Sequence, residues 1–118
     1  MGTVANVAVG LVAALHLYFL ILEMFLWNKP YGRRTFGLTP EFAASTASLA
    51  ANQGLYNGFL AAGLIWGLIL GGGAGFHIKI FFLSCVIIAG IFGAVTANRK
   101  ILFVQAIPGL IALVLLHL

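Results

Sequence analysis

Four long apolar segments constrain the fold of this chain more than any other feature. They cover approximately residues 4–27, 50–70, 76–97 and 101–118, with breaks between them. A helix needs about 20 mostly apolar residues to cross the hydrocarbon core of a bilayer. The pattern therefore predicts an all-α membrane protein: a four-transmembrane-helix bundle that forms a single integral membrane domain over residues 1–118.

Charged residues are too scarce to cover a water-soluble fold. Six Lys or Arg and two Asp or Glu make up 7% of the chain, against about a quarter in soluble domains. The net charge of +4 does not indicate nucleic-acid binding, because the basic residues fall in three short regions at or near the ends of the apolar segments. We therefore expect membrane lipids as partners and no nucleic acid.

The distribution of basic residues predicts an orientation. Five of them lie in the first and last breaks, and Lys79 alone belongs to the opposite side; the five are Lys29, Arg33, Arg34, Arg99 and Lys100. Loops rich in Lys and Arg stay in the cytoplasm. The bias places both termini outside the cytoplasm, and His77 and Lys79 are expected to reach the outer membrane interface.

The second helix is predicted to be long. Thr39, Pro40 and Glu41 have the order of an N-cap, a first helical residue and a first-turn acid. The helix is expected to run from Pro40 to Leu70 and to enter the bundle from the cytoplasmic side. Residues 28–39 before it are predicted to be a basic turn, and residues 71–75 after it a flexible link.

Two ionisable residues lie inside the first apolar segment. His16 and Glu23 are seven residues apart, which places them about 20° apart on one helix face, and Trp27 continues that face. Ionisable groups in a membrane span face the protein interior and are candidates for a functional site. This face is therefore predicted to point into the bundle.

The second helix carries a polar stripe that turns aromatic, which suggests the lining of a cleft. Its polar members are Glu41, Ser45, Ser48, Asn52 and Tyr56, with Gln53 and Asn57 at its edge and Trp66 further on. With Gln105 at the same depth, these groups predict a polar pocket near the cytoplasmic interface, with His16 as its floor. The predicted ligand-binding residues are Glu23, Trp27, Asn52, Gln53, Tyr56, Asn57, Trp66 and Gln105.

Three functions stay open at this point. The first is binding or transport of a small or lipid-like molecule, with Glu23 as the titratable group. The second is a membrane-embedded enzyme that uses His16 and Glu23 as acid and base on a lipid-soluble substrate. The third is a structural subunit of a larger complex. Rows of small residues, such as Gly54 with Gly58, also suit a homo-oligomer. No cofactor and no metal are expected.

Several segments resemble one known family. They are His16 with residues 23–27, residues 36–42, residues 52–61, and Gln105 with Pro108. In these segments the chain resembles the short bacterial membrane proteins grouped as domain of unknown function 1304. The resemblance implies four spans and a bacterial inner membrane, and it implies no reaction, cofactor or substrate.

Overall fold

The computed structural model describes residues 2–118, and its regular elements in that range are helices. They are α1 (Gly2–Met24), α2 (Pro30–Phe36), α3 (Pro40–Leu70), α4 (Gly72–Thr96), a π-helical segment (Leu102–Ala106) and α5 (Ile107–Leu116). Three of them, α1, α3 and α4, are long and apolar enough to cross a membrane, and Leu102–Leu116 forms a shorter apolar helix. These helices confirm the all-α membrane fold predicted from the sequence.

Helix α3 has the length and the start that the sequence predicts. It begins at Pro40, and the backbone N–H of Phe42 donates to Oγ1 of Thr39 at 3.1 Å, as expected for an N-cap. Its 31 residues extend over about 46 Å, whereas the hydrocarbon core is about 30 Å thick. Helix α3 is therefore longer than the hydrocarbon core is thick, and its N-terminal part is the more polar one.

The segment at residues 28–39 contains a helix that the sequence analysis missed. Seven residues form α2, which starts at Pro30 and ends at Phe36, and the capping residue Gly37 after it has a left-handed φ of 66°. Proline is favoured at the first helical position and glycine just after the last. These two signals are present in the sequence, but the clustered basic residues favoured the prediction of a turn.

The connection between α3 and α4 is much shorter than predicted. Gly71 is the one residue between the two helices, and residues 72–75 lie in the first turn of α4. Gly71 and Gly72 have φ values of 63° and 61°. Glycine adopts these angles without steric cost, so the glycine run makes a tight reversal instead of a flexible link.

The chain divides into two compact units: a mid-chain unit, Leu15–Phe59, and a terminal unit made of residues 2–14 and Leu60–Leu118. In the mid-chain unit, α1 and α3 approach closely at two glycines. A Cβ atom on Gly54 would lie 2.7 Å from Cγ of Met24, and one on Gly58 would lie 2.7 Å from Cδ1 of Leu20. Small residues at such crossings allow membrane helices to pack backbone against side chain.

In the terminal unit, a buried apolar cluster joins four helices: Val9, Val12, Ala13, Leu64, Leu83, Val86 and Ala112. Glycines again mark the closest approaches. A Cβ on Gly75 would lie 2.5 Å from the carbonyl oxygen of Gly67, and one on Gly90 would lie 2.5 Å from the backbone nitrogen of Ala106. Packing and small residues therefore hold this unit together, as expected where water provides little drive for association.

The last helix changes its hydrogen-bond pattern before Pro108. The N–H of Ile107 donates to the carbonyl of Leu102, five residues back, and residues 102–106 are π-helical. Pro108 has no N–H, and its ring would clash with the carbonyl four residues earlier in a regular α-helix. The widened turn relieves that clash, and the helix continues as α5.

Candidate functional site

The mid-chain unit holds a carboxylate and an amide in direct contact. The side-chain nitrogen of Asn57 donates a hydrogen bond to Oε1 of Glu23. Asn57 is buried and Glu23 is half-buried. The close approach of the backbones fixes this contact, because a Cβ on Gly54 would lie 3.1 Å from Cβ of Glu23. Two residues predicted to meet from separate helices are thus in contact.

The hydrogen bond leaves one acceptor atom of each side chain unused. The hydrogen bond uses Oε1 of Glu23 and Nδ2 of Asn57, so Oε2 and Oδ1 are not part of it. Within residues 2–118 no buried side-chain oxygen or nitrogen lacks a hydrogen-bond partner. Glu23 is half-buried, so part of its side chain is accessible, whereas Asn57 is only 5% exposed. A partly accessible carboxylate presents an acceptor, which suits a ligand with a donor or cationic group.

His16 lies on the same helix as Glu23 but in a different environment. Its side chain is 0% exposed, and its ring meets the ring of Phe19 edge to face at 5.3 Å between centroids. Seven residues of helix separate His16 from Glu23 by about 10 Å along the axis. His16 is thus a packed interior residue, and an external molecule would have to displace its neighbours to reach it.

Trp27 does not continue the helical face of Glu23, contrary to the sequence prediction. Helix α1 ends at Met24, and Trp27 lies in the turn that follows. Its indole N–H donates to Oγ1 of Thr46 at 3.0 Å. Its ring packs against the ring of Phe36, with 4.8 Å between the ring centroids. Trp27 therefore ties the turn and α2 to α3. Thr46 escaped the sequence analysis because it lies off the polar stripe.

The polar stripe of α3 lies on the surface and is not enclosed in a cleft. All five members are exposed, as is Gln53 at its edge: Glu41, Ser45, Ser48, Asn52, Tyr56 and Gln53. Only Asn57, at the other edge, is buried. Helical periodicity places residues on a common face but does not say whether that face meets the protein.

Two further predicted ligand-binding residues belong to the terminal unit. Trp66 is 56% exposed on α3, and Gln105 is half-buried in the π-helical segment, where it has an interaction of its own. Among the eight predicted residues, Glu23 and Asn57 are brought into contact by a hydrogen bond. Ligand binding by any of them stays a prediction.

Lys79, which is expected from the sequence to reach the outer membrane interface, is a buried residue of the fold. It is only 7% exposed, and its ammonium donates to Oδ1 of Asn6 at 3.0 Å. Its stem packs on Gly67, where a Cβ would lie 2.7 Å from Cγ of Lys79. The sequence analysis overlooked Asn6, whose one signal is that it interrupts an otherwise apolar segment.

The fold and these contacts define a small membrane protein of several helices with two ionisable residues in its first long helix. Residues 10–117 match the family described as "Protein of unknown function (DUF1304)", and the chain belongs to this family. The chain is similar to the uncharacterized protein YpaA of Lactococcus lactis subsp. lactis (strain IL1403), with 29% identity over 115 residues, which cover 95% of this chain and 96% of that protein. No solved structure matches the chain.

Proposed function

We propose that this protein binds a small or lipid-like molecule whose cationic or hydrogen-bond-donating group meets Glu23. The observation that carries the proposal is the hydrogen bond from Asn57 to Glu23, which orients the carboxylate of this half-buried residue and does not use its Oε2. An ionisable group within an apolar helix is costly, and such groups mark binding sites or pathways by default. Asn57 positions the carboxylate, and Oε2 receives the ligand.

Binding is favoured over the acid–base enzyme alternative because the two candidate residues differ in accessibility. A general acid or base must come within hydrogen-bond reach of its substrate. Glu23 is half-buried, whereas His16 is fully buried. The burial of His16 instead supports a role in holding the first helix in place, beneath the accessible carboxylate.

The test measures binding of decylamine to the chain in nanodiscs, with decanol and decanoate as probes of equal tail length. Glu41→Gln is the matched control, because Glu41 is the other acidic residue and is exposed in the first turn of α3. We expect saturable amine binding in the wild type and in Glu41→Gln. Glu23→Gln should weaken it about tenfold or more, as expected when a charge-assisted hydrogen bond is lost.

Two results would overturn the proposal. One is equal binding by the two glutamine variants, and the other is decanoate binding as tightly as decylamine. If Glu23→Gln and Glu41→Gln both fold but neither binds any probe more tightly than protein-free nanodiscs do, the protein is better described as a structural subunit. Uptake of decylamine into proteoliposomes then distinguishes transport from binding alone, and cross-linking reports whether a homo-oligomer forms.

The orientation in the membrane is a further part of the proposal: a bacterial inner-membrane protein with both termini outside the cytoplasm. It is supported by the five basic residues in the segments 28–39 and 98–100, against Lys79 alone elsewhere. In a Cys85→Ser background, cysteines placed at Gly2 and Arg99 can be labelled in whole cells with a membrane-impermeant maleimide. The proposal requires labelling at position 2 and none at position 99.

A further inference from the structure

The terminal unit contains a recess in which a buried cation faces apolar side chains. Its volume is about 230 Å³, and its lining includes Asn6, Phe76, Lys79, Leu115 and Leu116. Since a water molecule occupies about 30 Å³ of liquid, this is room for an ionic head group and a short part of an apolar chain. Polar groups and hydrocarbon side chains thus line the same small space.

Lys79 has fewer partners than its charge requires. The ammonium group has three donors, and the structure assigns it one acceptor, Oδ1 of Asn6. The terminal unit, residues 2–14 and 60–118, contains no Asp or Glu side chain, and the carboxylate that the recess lining does include is the backbone group of Leu118. A buried charge is costly unless it is paired and hydrogen-bonded. The carboxamide of Asn6 neutralises none of the charge.

The position of α4 adds to the positive potential. The recess reaches Gly72, the first residue of this 25-residue helix, and the N-terminus of a helix carries a partial positive charge. Lys79 lies seven residues further along the same helix. Both features favour an anion in the recess, and the apolar wall formed by Phe76, Leu115 and Leu116 favours one that carries a hydrocarbon chain.

From this arrangement we infer that the recess binds the anionic head group of an amphiphile, a phosphate or carboxylate paired with Lys79. The ammonium donates to the anion, the Asn6 carbonyl keeps the ammonium oriented, and the apolar wall covers the first part of the acyl chain. This site lies in the terminal unit and does not depend on the function proposed for Glu23.

The experiment measures lipid retained by the purified protein, by native mass spectrometry after incubation with phosphatidylglycerol or with phosphatidylcholine. Lys100→Gln is the matched control, because Lys100 is exposed and the substitution removes the same charge. We expect the wild type and Lys100→Gln to retain phosphatidylglycerol in preference to phosphatidylcholine. Lys79→Gln should lower that retention about tenfold or more, and Lys79→Arg should restore it.

A second arm separates a lipid from a free anion. Inorganic phosphate and decanoate are added as competitors. Displacement of the lipid by decanoate at far lower concentration than by phosphate supports binding of an amphiphile. Equal displacement by phosphate overturns the inference in favour of a free-anion site. Should Lys79→Gln fail to fold, Leu115→Trp fills the recess and leaves Lys79 in place, and it must lose the lipid as well. Equal retention by Lys79→Gln and Lys100→Gln would overturn the inference.

Discussion

The side-chain amide of Asn57 donates a hydrogen bond to Oε1 of Glu23 although the two residues are 34 positions apart in the chain. Asn57 is 5% exposed, so its amide has little freedom to turn elsewhere. The glycines at positions 54 and 58 bring α3 against α1 on either side of it. The orientation of the one acidic side chain in α1 therefore depends on a group supplied by α3.

A double-mutant cycle on this pair should reveal a favourable coupling. With Glu23→Ala, Asn57→Ala and the double variant, we expect a coupling free energy of about 0.5–2 kcal/mol, in the range of hydrogen bonds between membrane helices and of charge-assisted bonds. The measurement is reversible unfolding in mixed micelles. Asn52→Ala is the control, since Asn52 is exposed and should not couple to Glu23. A coupling near zero would mean that the contact does not form.

Adding a methyl group at Gly54 should destabilise the protein, whereas the same change at Gly10 should not. A Cβ at Gly54 would meet Cγ of Met24 at 2.7 Å, and one at Gly10 has nothing within 4 Å. We expect Gly54→Ala to lower the free energy of unfolding by about 1–3 kcal/mol, as overpacking does. Gly10→Ala should raise it by up to about 1 kcal/mol, because alanine favours a helix. A larger loss of stability in Gly10→Ala than in Gly54→Ala would contradict the close approach of α1 and α3 at Gly54.

Removing the acceptor of the Trp27 indole should change its fluorescence. Thr46→Val keeps the shape but leaves the indole N–H without Oγ1, which lies 3.0 Å away. In a Trp66→Phe background, we expect a shift of the Trp27 emission and a loss of about 0.5–1.5 kcal/mol of stability. Ser45→Ala is the matched control, because Ser45 is exposed and its hydroxyl bonds only the nearby carbonyl of Phe42. An equal shift in both variants would argue against the contact.

Two glycines of α4 should differ in their tolerance of alanine. At Gly90 the added Cβ would lie 2.5 Å from the backbone nitrogen of Ala106, which cannot move without shifting the helix. At Gly93 it would meet the side chain of Ile101 at 3.0 Å, and that side chain can adjust. We expect Gly90→Ala to cost about 1–3 kcal/mol and Gly93→Ala clearly less. Thermal unfolding followed by circular dichroism ranks the two, and equal losses would count against this reading of the interface.

The helices were predictable where composition and local signals agree. The apolar segments predict α1, α3 and α4, and the Thr39–Pro40–Glu41 sequence predicts the start of α3, since these depend on short-range physics. Helix α2 and the one-residue reversal at Gly71 were missed, although proline and glycine signal both. The prediction of a turn at the basic segment and of a flexible link at the glycine run took precedence over the specific backbone preferences of proline and glycine.

The candidate site was less predictable because it depends on contacts between distant residues. The spacing of residues predicts that Glu23 and Asn57 lie at a similar depth, and the structure joins them by a hydrogen bond. The same kind of argument predicted a cleft lining for Asn52 and Tyr56, which lie on an exposed face. The sequence contains no local signal for the partner of Lys79, which is Asn6, 73 positions away. Which polar residues meet is decided by the helix rotation that the close glycine contacts fix.

The reversal at Gly71 has a consequence for biogenesis. With one residue between α3 and α4, and with the Gly67 carbonyl within 2.5 Å of where a Cβ on Gly75 would lie, the ends of the two helices have no slack chain between them. Insertion of α3 alone would leave α4 outside the bilayer with no loop to connect it. We expect the two helices to enter the translocation machinery's lateral exit as one hairpin, and a reporter fused between them to disrupt that joint insertion.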